Sequence, residues 1–276
     1  MMNRGTHCGN DAEKEFVKRF NRNKNDNDFS LYIKDCNVTL IDDVYMIRVN
    51  TKQYSKLSNQ VVMTRADTYL VESKDDAIKQ LLFDNDYYLD ENMLNNDNIK
   101  FNPVEYSGVS VKMSDSDKFQ ILKLTPESFK TLFGNYELGA GASVYCLKEE
   151  EIDKNKDVLK GWKTTKEDFI NFFSDELPIV NNLYKDIPII EQMRIFKIIK
   201  EFSNAKIKEL IDNDKGIQEI IFNGYHIYEE PYSATHFYHG GIITKLNYIP
   251  FIVTTGSGRS KGIYTIVFKP KNETIN

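Results

Sequence analysis

Apolar residues recur at helical spacing near the start of the chain. Phe16, Val17 and Phe20 share one face of a helix predicted over about residues 10–22, while Lys14, Lys18 and Arg22 take the other. Glu13 sits three and four residues before Phe16 and Val17, so a carboxylate lies on the inward face. From 29 to 73 the pattern becomes short β-branched and aromatic runs: FSLYI, NVTLI, VYMIRV, VVMT and TYLVES. Asp, Asn and Ser turns separate them, which predicts a β-meander. An acidic, Asn-rich stretch from about 75 to 102 predicts a short helix and a loop excursion. Strand character returns in SGVSVKM and KFQILKL.

Thr125 and Pro126 then announce the helix PESFKTLF, with Thr125 as N-cap and Pro126 at the first helical position. Gly134 and the Gly139/Gly141 pair are expected to end that block. The middle third is predicted helical, with Ile189, Met193, Phe196, Ile199 and Phe202 as one core-facing stripe and the lone Trp162 in the core. From Tyr225 on, the segments YHIYEE, FYHGGIITKLNY, PFIVTT and GIYTIVFKP predict strands. The fold class is therefore α/β: a mixed central β-sheet flanked by helices, with a helical insertion and a C-terminal β-rich segment.

Composition narrows the setting. In 276 residues, 41% are hydrophobic, with Phe 17 and Tyr 16, enough for a sizeable core. No run approaches the roughly 18 apolar residues of a membrane span. The polar N-terminus lacks the apolar stretch of a secretion signal. Cys8, Cys36 and Cys146 are scattered, as expected of reduced thiols in a cytoplasmic protein. Lys+Arg 36 against Asp+Glu 41 leaves a net charge of -5, which excludes a globally basic nucleic-acid coat protein but not a local basic cleft.

The candidate chemistry lies on two strands. Asp67 opens an apolar strand, where its side chain can project from the sheet edge. Ser110 and Lys112 are two apart on a later strand and so share a face, with Val109 and Val111 on the buried one. Phosphodiester hydrolysis needs a hard cation on oxygen ligands, a group that positions the attacking water, and positive charge on the phosphate. An Asp on one strand and a Lys on its neighbour supply such parts.

At these residues the chain resembles the PD-(D/E)xK nuclease superfamily, and type II restriction endonucleases in particular. The family pattern, an acid on one strand and (D/E)xK on the next, reads here as Asp67 and Ser110-Val111-Lys112. The downstream KFQILKLTPESF, with Gln120 and Lys123, and the opening GNDAEKEFVKRF are also similar. The resemblance implies a restriction-endonuclease-like core with Glu13 and Asp67 as metal ligands, Lys112 as the catalytic lysine, Ser110 in a secondary polar role, and Mg²⁺, with Mn²⁺ able to substitute. Two departures stand out: Ser110 occupies the place of the second acid, and Ala66 rather than Pro precedes Asp67. Glu13 is the first choice for the missing carboxylate, ahead of Glu105 and Glu72. The implied organisation is a catalytic core over 1–148, a helical insertion or subdomain over 149–215, and a C-terminal β segment over 216–276 that contacts DNA, all packed as one unit.

The segment TTGSGRSKGIYTIVFKPK gathers Arg259, Lys261, Lys269 and Lys271 around flexible glycines. Arg259, flanked by Ser257 and Ser260, suits bidentate pairing with guanine, and the lysines suit phosphates. GSGRSKG lacks the spacing of a phosphate-binding P-loop. His226, His236 and His239 lack partners at zinc-ligand spacing, so structural or DNA-facing roles are expected.

The sequence therefore predicts a sequence-specific, Mg²⁺-dependent double-stranded DNA endonuclease, either a homodimer or a monomer that nicks sequentially. DNA-contacting residues are Arg259, Lys261, Ser257, Lys269, Gln120 and Lys123. Two other readings stay open: a DNA-binding protein of the same fold without catalysis, and a repair or toxin nuclease.

Overall fold

The amphipathic opening folds as helix α1 (Arg4–Asn23), and its stripe of Phe16, Val17 and Phe20 is buried. The computed structural model describes residues 4–112, 119–144, 154–182, 187–256 and 264–271. It divides into two units, Met1–Asp117 with Phe222–Ile249, and Lys118–Ile221 with Pro250–Asn276.

The first unit continues with α2 (Asn27–Asp35), β1 (Val44–Arg48), the hairpin β2 (Gln53–Ser55) and β3 (Gln60–Val62), then β4 (Thr68–Glu72). Helices α3 (Ala77–Asp84) and α4 (Glu91–Asn96) follow, then β5 (Asn102–Pro103) and β6 (Val109–Val111). The central sheet has the order β1-β4-β6-β8-β9, where β8 is His236–His239 and β9 is Ile242–Lys245; β5 pairs with β4. The β4 strand is antiparallel to β1 and β6, whereas β6 and β8 are parallel, so the sheet is mixed. Helices cover both faces. The stripe of α1 packs with Met46, Leu70, Val109 and Val111, and the opposite face packs Tyr45, Ile47, Tyr69 and Val71 with α3 residues Ile78 and Leu82. This double cover explains why β1 and β4 read as nearly continuous apolar runs.

Besides the middle-third stripe, where only Phe196 and Ile199 of the five residues named are buried and Ile189 is 36% exposed, four sequence expectations change here. FSLYI is α2, not a strand: Asp26 caps it by accepting from the Asp28 N–H, and Phe29 and Tyr32 are buried three apart. Leu31, which the alternating reading turns inward, is 75% exposed. NVTLI forms turns that lead into a 3-10 turn at Ile41–Asp43 rather than a strand. YHIYEE is not a strand either, since Gly224 (φ +77) and His226 (φ +62) take left-handed backbone that no strand accommodates.

The fourth change concerns Gly139 and Gly141 in the second unit. They do not end a helix; they lie inside α6 (Glu137–Ser143), which is buried from Leu138 to Ser143. Their missing side chains admit neighbours: a Cβ on Gly139 would sit 2.2 Å from the Trp162 ring, and one on Gly141 2.4 Å from Ser203 Oγ. The preceding helix α5 (Pro126–Phe133) behaves as expected, with Thr125 as N-cap and Gly134 (φ 88) closing it. This unit also holds a three-stranded sheet of β7 (Leu122–Leu124), β10 (Phe251–Thr255) and β11 (Ile266–Pro270) in the order β10-β11-β7. Its remaining helices are α7 (Lys154–Gly161), α8 (Lys166–Ser174), α9 (Ile189–Asn213) and most of α10 (Lys215–Asn223). The helices of the middle third thus fold with strands from both flanking segments. No described helix is long and apolar enough to cross a membrane.

One buried carboxylate fixes the chain after β1. Glu91, 2% exposed, accepts the N–H groups of Asn50 and Thr51 at 2.7 Å each and the Tyr69 hydroxyl at 3.0 Å. Those bonds hold the segment that leaves Arg48.

Candidate active site

Asp67 is held by backbone on both sides: its N–H donates to Val109 O and its carbonyl accepts from Val49 N–H, both at 2.9 Å. Its carboxylate turns to β6. Oδ2 accepts the Val111 N–H at 2.7 Å and the Ser110 hydroxyl at 3.3 Å, and lies 4.0 Å from Lys112 Nζ. Antiparallel pairing of β4 and β6 produces this meeting, because it sets Asp67 beside Ser110 at the ends of adjacent strands. A tight start to β6 helps: a Cβ on Gly108 would fall 1.8 Å from Ser233 O. Ser110 is itself only 1% exposed, so both faces of β6 are covered.

Glu13 arrives from α1. The buried Phe16, Val17 and Phe20 fix the rotation of the helix and so present Glu13 to the sheet. There it meets Arg48, the last residue of β1, which donates from Nε to Glu13 Oε2 at 2.6 Å and from a terminal nitrogen to Asn10 Oδ1 at 2.9 Å. The guanidinium also interacts with the Tyr88 hydroxyl. Three neighbouring strands therefore each contribute one charged side chain at the same end: Arg48, Asp67 and Lys112. Their side chains and that of Glu13 are between 18% and 27% exposed.

The electrostatics show the strain of crowding charge in a partly dry place. Burial, then the Asp67 charge, raises the Glu13 carboxyl above its ordinary value, against the pull of Arg48 and Lys112. Burial likewise lowers the Lys112 ammonium, helped by Arg65 and opposed by Asp67 and Glu13. Arg65, whose Nε and one terminal nitrogen donate to Phe222 O at 3.1 and 3.0 Å, is brought down by burial to about 10 and remains a cation at neutral pH.

The structure brings together Asp67, Ser110 and Lys112, and places Glu13 on Arg48, within reach of the Asp67 and Lys112 charges. It does not bring the lesser acids. Glu72 ends β4, about 16 Å along the strand from Asp67 at strand rise. Glu105 precedes the antiparallel β6, next to Val104, whose N–H binds Leu70 O, and so lies toward the Glu72 end. Arg48, Asn10 and Arg65 were not singled out in the sequence. The available signal was a lone arginine closing the apolar run VYMIR and another two residues before Asp67.

The second unit carries the other expected DNA contacts that are described. Lys123 pairs across from Val267 on β11, and Lys269 is two residues further along that strand, so the two lysines share a face of the three-stranded sheet. Gln120 and Lys123 are exposed and Lys269 is half-buried. Ser257, Arg259 and Lys261 lie outside the described residues.

Zinc-like histidine geometry does not form. His236 Nδ1 faces Thr235 Oγ1 at 2.8 Å and Nε2 faces Asp35 Oδ2 at 3.4 Å, a structural link between β8 and α2. Among the described residues no group of three or more His, Cys, Asp or Glu side chains is arranged to hold a metal. Compared with known protein families, with curated proteins and with solved structures, the chain shows no match.

Proposed function

We propose that this chain is a sequence-specific, Mg²⁺-dependent double-stranded DNA endonuclease of the PD-(D/E)xK type. One observation carries the reading: Asp67 and Lys112, from adjacent antiparallel strands, lie 4.0 Å apart with the helix-borne Glu13 close enough for the Asp67 charge to act on it. Mg²⁺ takes one or two carboxylates and completes its shell with water and phosphate oxygens. Glu13 and Asp67 are the carboxylates that would hold that ion, and two carboxylates do not make a four-ligand structural zinc site. Bound there, the ion supplies Lewis-acid polarisation of the phosphate and activation of water.

The chain's own groups do the rest. Asp67 is oriented by the Val111 N–H and the Ser110 hydroxyl, which is the secondary role left to Ser110. Lys112 provides a compact cation beside the scissile phosphate and steers the attacking water. Lys123, Lys269, Lys261 and Gln120 contact the DNA backbone, and Arg259, flanked by Ser257, reads bases. The test is digestion of a sequenced phage genome with Mg²⁺ and mapping of fragment ends. Discrete fragments that vanish with Asp67→Ala and Glu13→Ala support the reading; cleavage that survives either substitution refutes it. Smears or ladders point instead to a repair or toxin nuclease of the same fold.

Ser110 in place of a second acid favours a second reading, a DNA-binding protein that has lost catalysis. Tight binding of intact DNA with no heat of Mn²⁺ binding would establish it.

A further inference from the structure

The carboxylates of Glu13 and Asp67 already sit among cations: Arg48 bonds Glu13, and Lys112 lies 4.0 Å from Asp67. Lys112 has an evident part in the proposed chemistry and Arg48 has none: its guanidinium holds Glu13, Asn10 and Tyr88. A fork held at three points does not swing away when the surroundings change, since planar guanidinium bonds are directional. Its backbone is fixed as well, with the Arg48 N–H donating to Leu89 O at 3.0 Å and the residue paired with Thr68 of β4.

We propose that Arg48 is the resident counter-ion of Glu13 and sets the affinity of the site for its cation. The inference rests on the metal-site reading above and adds to it a residue that no part of the nuclease pattern contains. Without an ion, Arg48 holds the Glu13 carboxylate in place at the end of β1. It uses Oε2 of the carboxylate for this. When a divalent cation enters, the same fixed positive charge opposes it across a short, partly buried distance, where charges are poorly screened. The site therefore binds its cation weakly by construction, and Arg48 is a positioning residue that also acts as an electrostatic brake.

The experiment is isothermal titration of the full chain with Mn²⁺ at pH 8, comparing wild type with Arg48→Gln, Arg48→Lys and Glu13→Gln. Arg48→Gln, which keeps a hydrogen-bond donor and removes the charge, is expected to bind Mn²⁺ at least tenfold more tightly. Arg48→Lys, which keeps the charge, is expected to stay within threefold of wild type, and Glu13→Gln to bind more weakly. A merely structural arginine would alter the melting temperature and leave Mn²⁺ affinity alone. Unchanged or weaker binding by Arg48→Gln overturns the inference while the metal site stands. Should that variant not fold, a tenfold change in Arg48→Lys in either direction overturns it. Absence of Mn²⁺ binding by wild type and Arg48→Gln alike sinks the metal-site reading itself, and the brake with it.

Discussion

Helices α1 and α6 make opposite use of a buried face. In the first unit, α1 packs large side chains against the sheet and carries Glu13 in with them. In the second, α6 is Glu-Leu-Gly-Ala-Gly-Ala-Ser, and its small residues let Trp162, Phe173 and Ser203 approach its backbone. The buried polar groups follow the same division. Among the described residues, the first unit buries Glu91, His236, Asn21 and Asn223 besides hydroxyls, while the buried polar side chains of the second are all Ser or Thr. Burying ionisable groups costs stability, and such costs persist where chemistry requires them. The first unit thus carries buried ionisable and amide groups, and the second is closely packed around small residues.

That contrast breaks most sharply through Lys112. Lys112→Ala is expected to reduce Mg²⁺-dependent cleavage about 10³-fold, equivalent to about 4 kcal/mol of barrier. Its thermal midpoint should hardly fall, because the ammonium it removes is one that burial disfavours. A large loss of stability with unchanged cleavage would make Lys112 a structural residue.

Gly139→Val probes the opposite case. Its Cβ would meet three atoms of the Trp162 ring at 2.2 to 2.8 Å, and overpacking of this kind costs about 3 kcal/mol. Urea unfolding should show the loss. An unchanged midpoint would mean that α6 can retreat from Trp162 and that the second unit is not tightly packed there.

Glu91→Gln falls between the two. One amide oxygen must replace a carboxylate that accepts two backbone N–H groups and the Tyr69 hydroxyl, a loss of about 2 kcal/mol. It should also raise amide exchange at Asn50 and Thr51. Protection there equal to wild type would show that the clamp is dispensable.

The smallest expected effect is the pH response of His236. Burial lowers its pKa, against the raising influence of Asp35. The unfolded chain then takes up the proton first, so stability is full above the unfolded value of about 6.5 and declines as pH falls below it. His236→Gln should flatten that decline by about 2 °C in midpoint between neutral and mildly acidic pH. A steeper decline in the variant would reverse the sign and mean that the Asp35 pairing dominates burial.

Elements whose residue pattern has a single reading follow from the chain alone. The stripe of α1, the strands around Tyr45 and Tyr69, the Thr125-Pro126 start and Gly134 stop of α5, and the β8–β9 and β10 strands were all legible, because periodicity and capping act within a few residues. FSLYI was not, since five residues fit both an alternating and a helical pattern and only burial of Phe29 with Tyr32 decides between them. The glycines of α6 have the look of breakers along the chain, because nothing local reveals the Trp162 ring that needs their space. At the candidate site, the sequence named Glu13, Asp67, Ser110 and Lys112 from spacing and resemblance. Only the tertiary structure placed Arg48 on Glu13, because strand order and helix rotation, not distance along the chain, decide which charges share a low-dielectric end of a sheet.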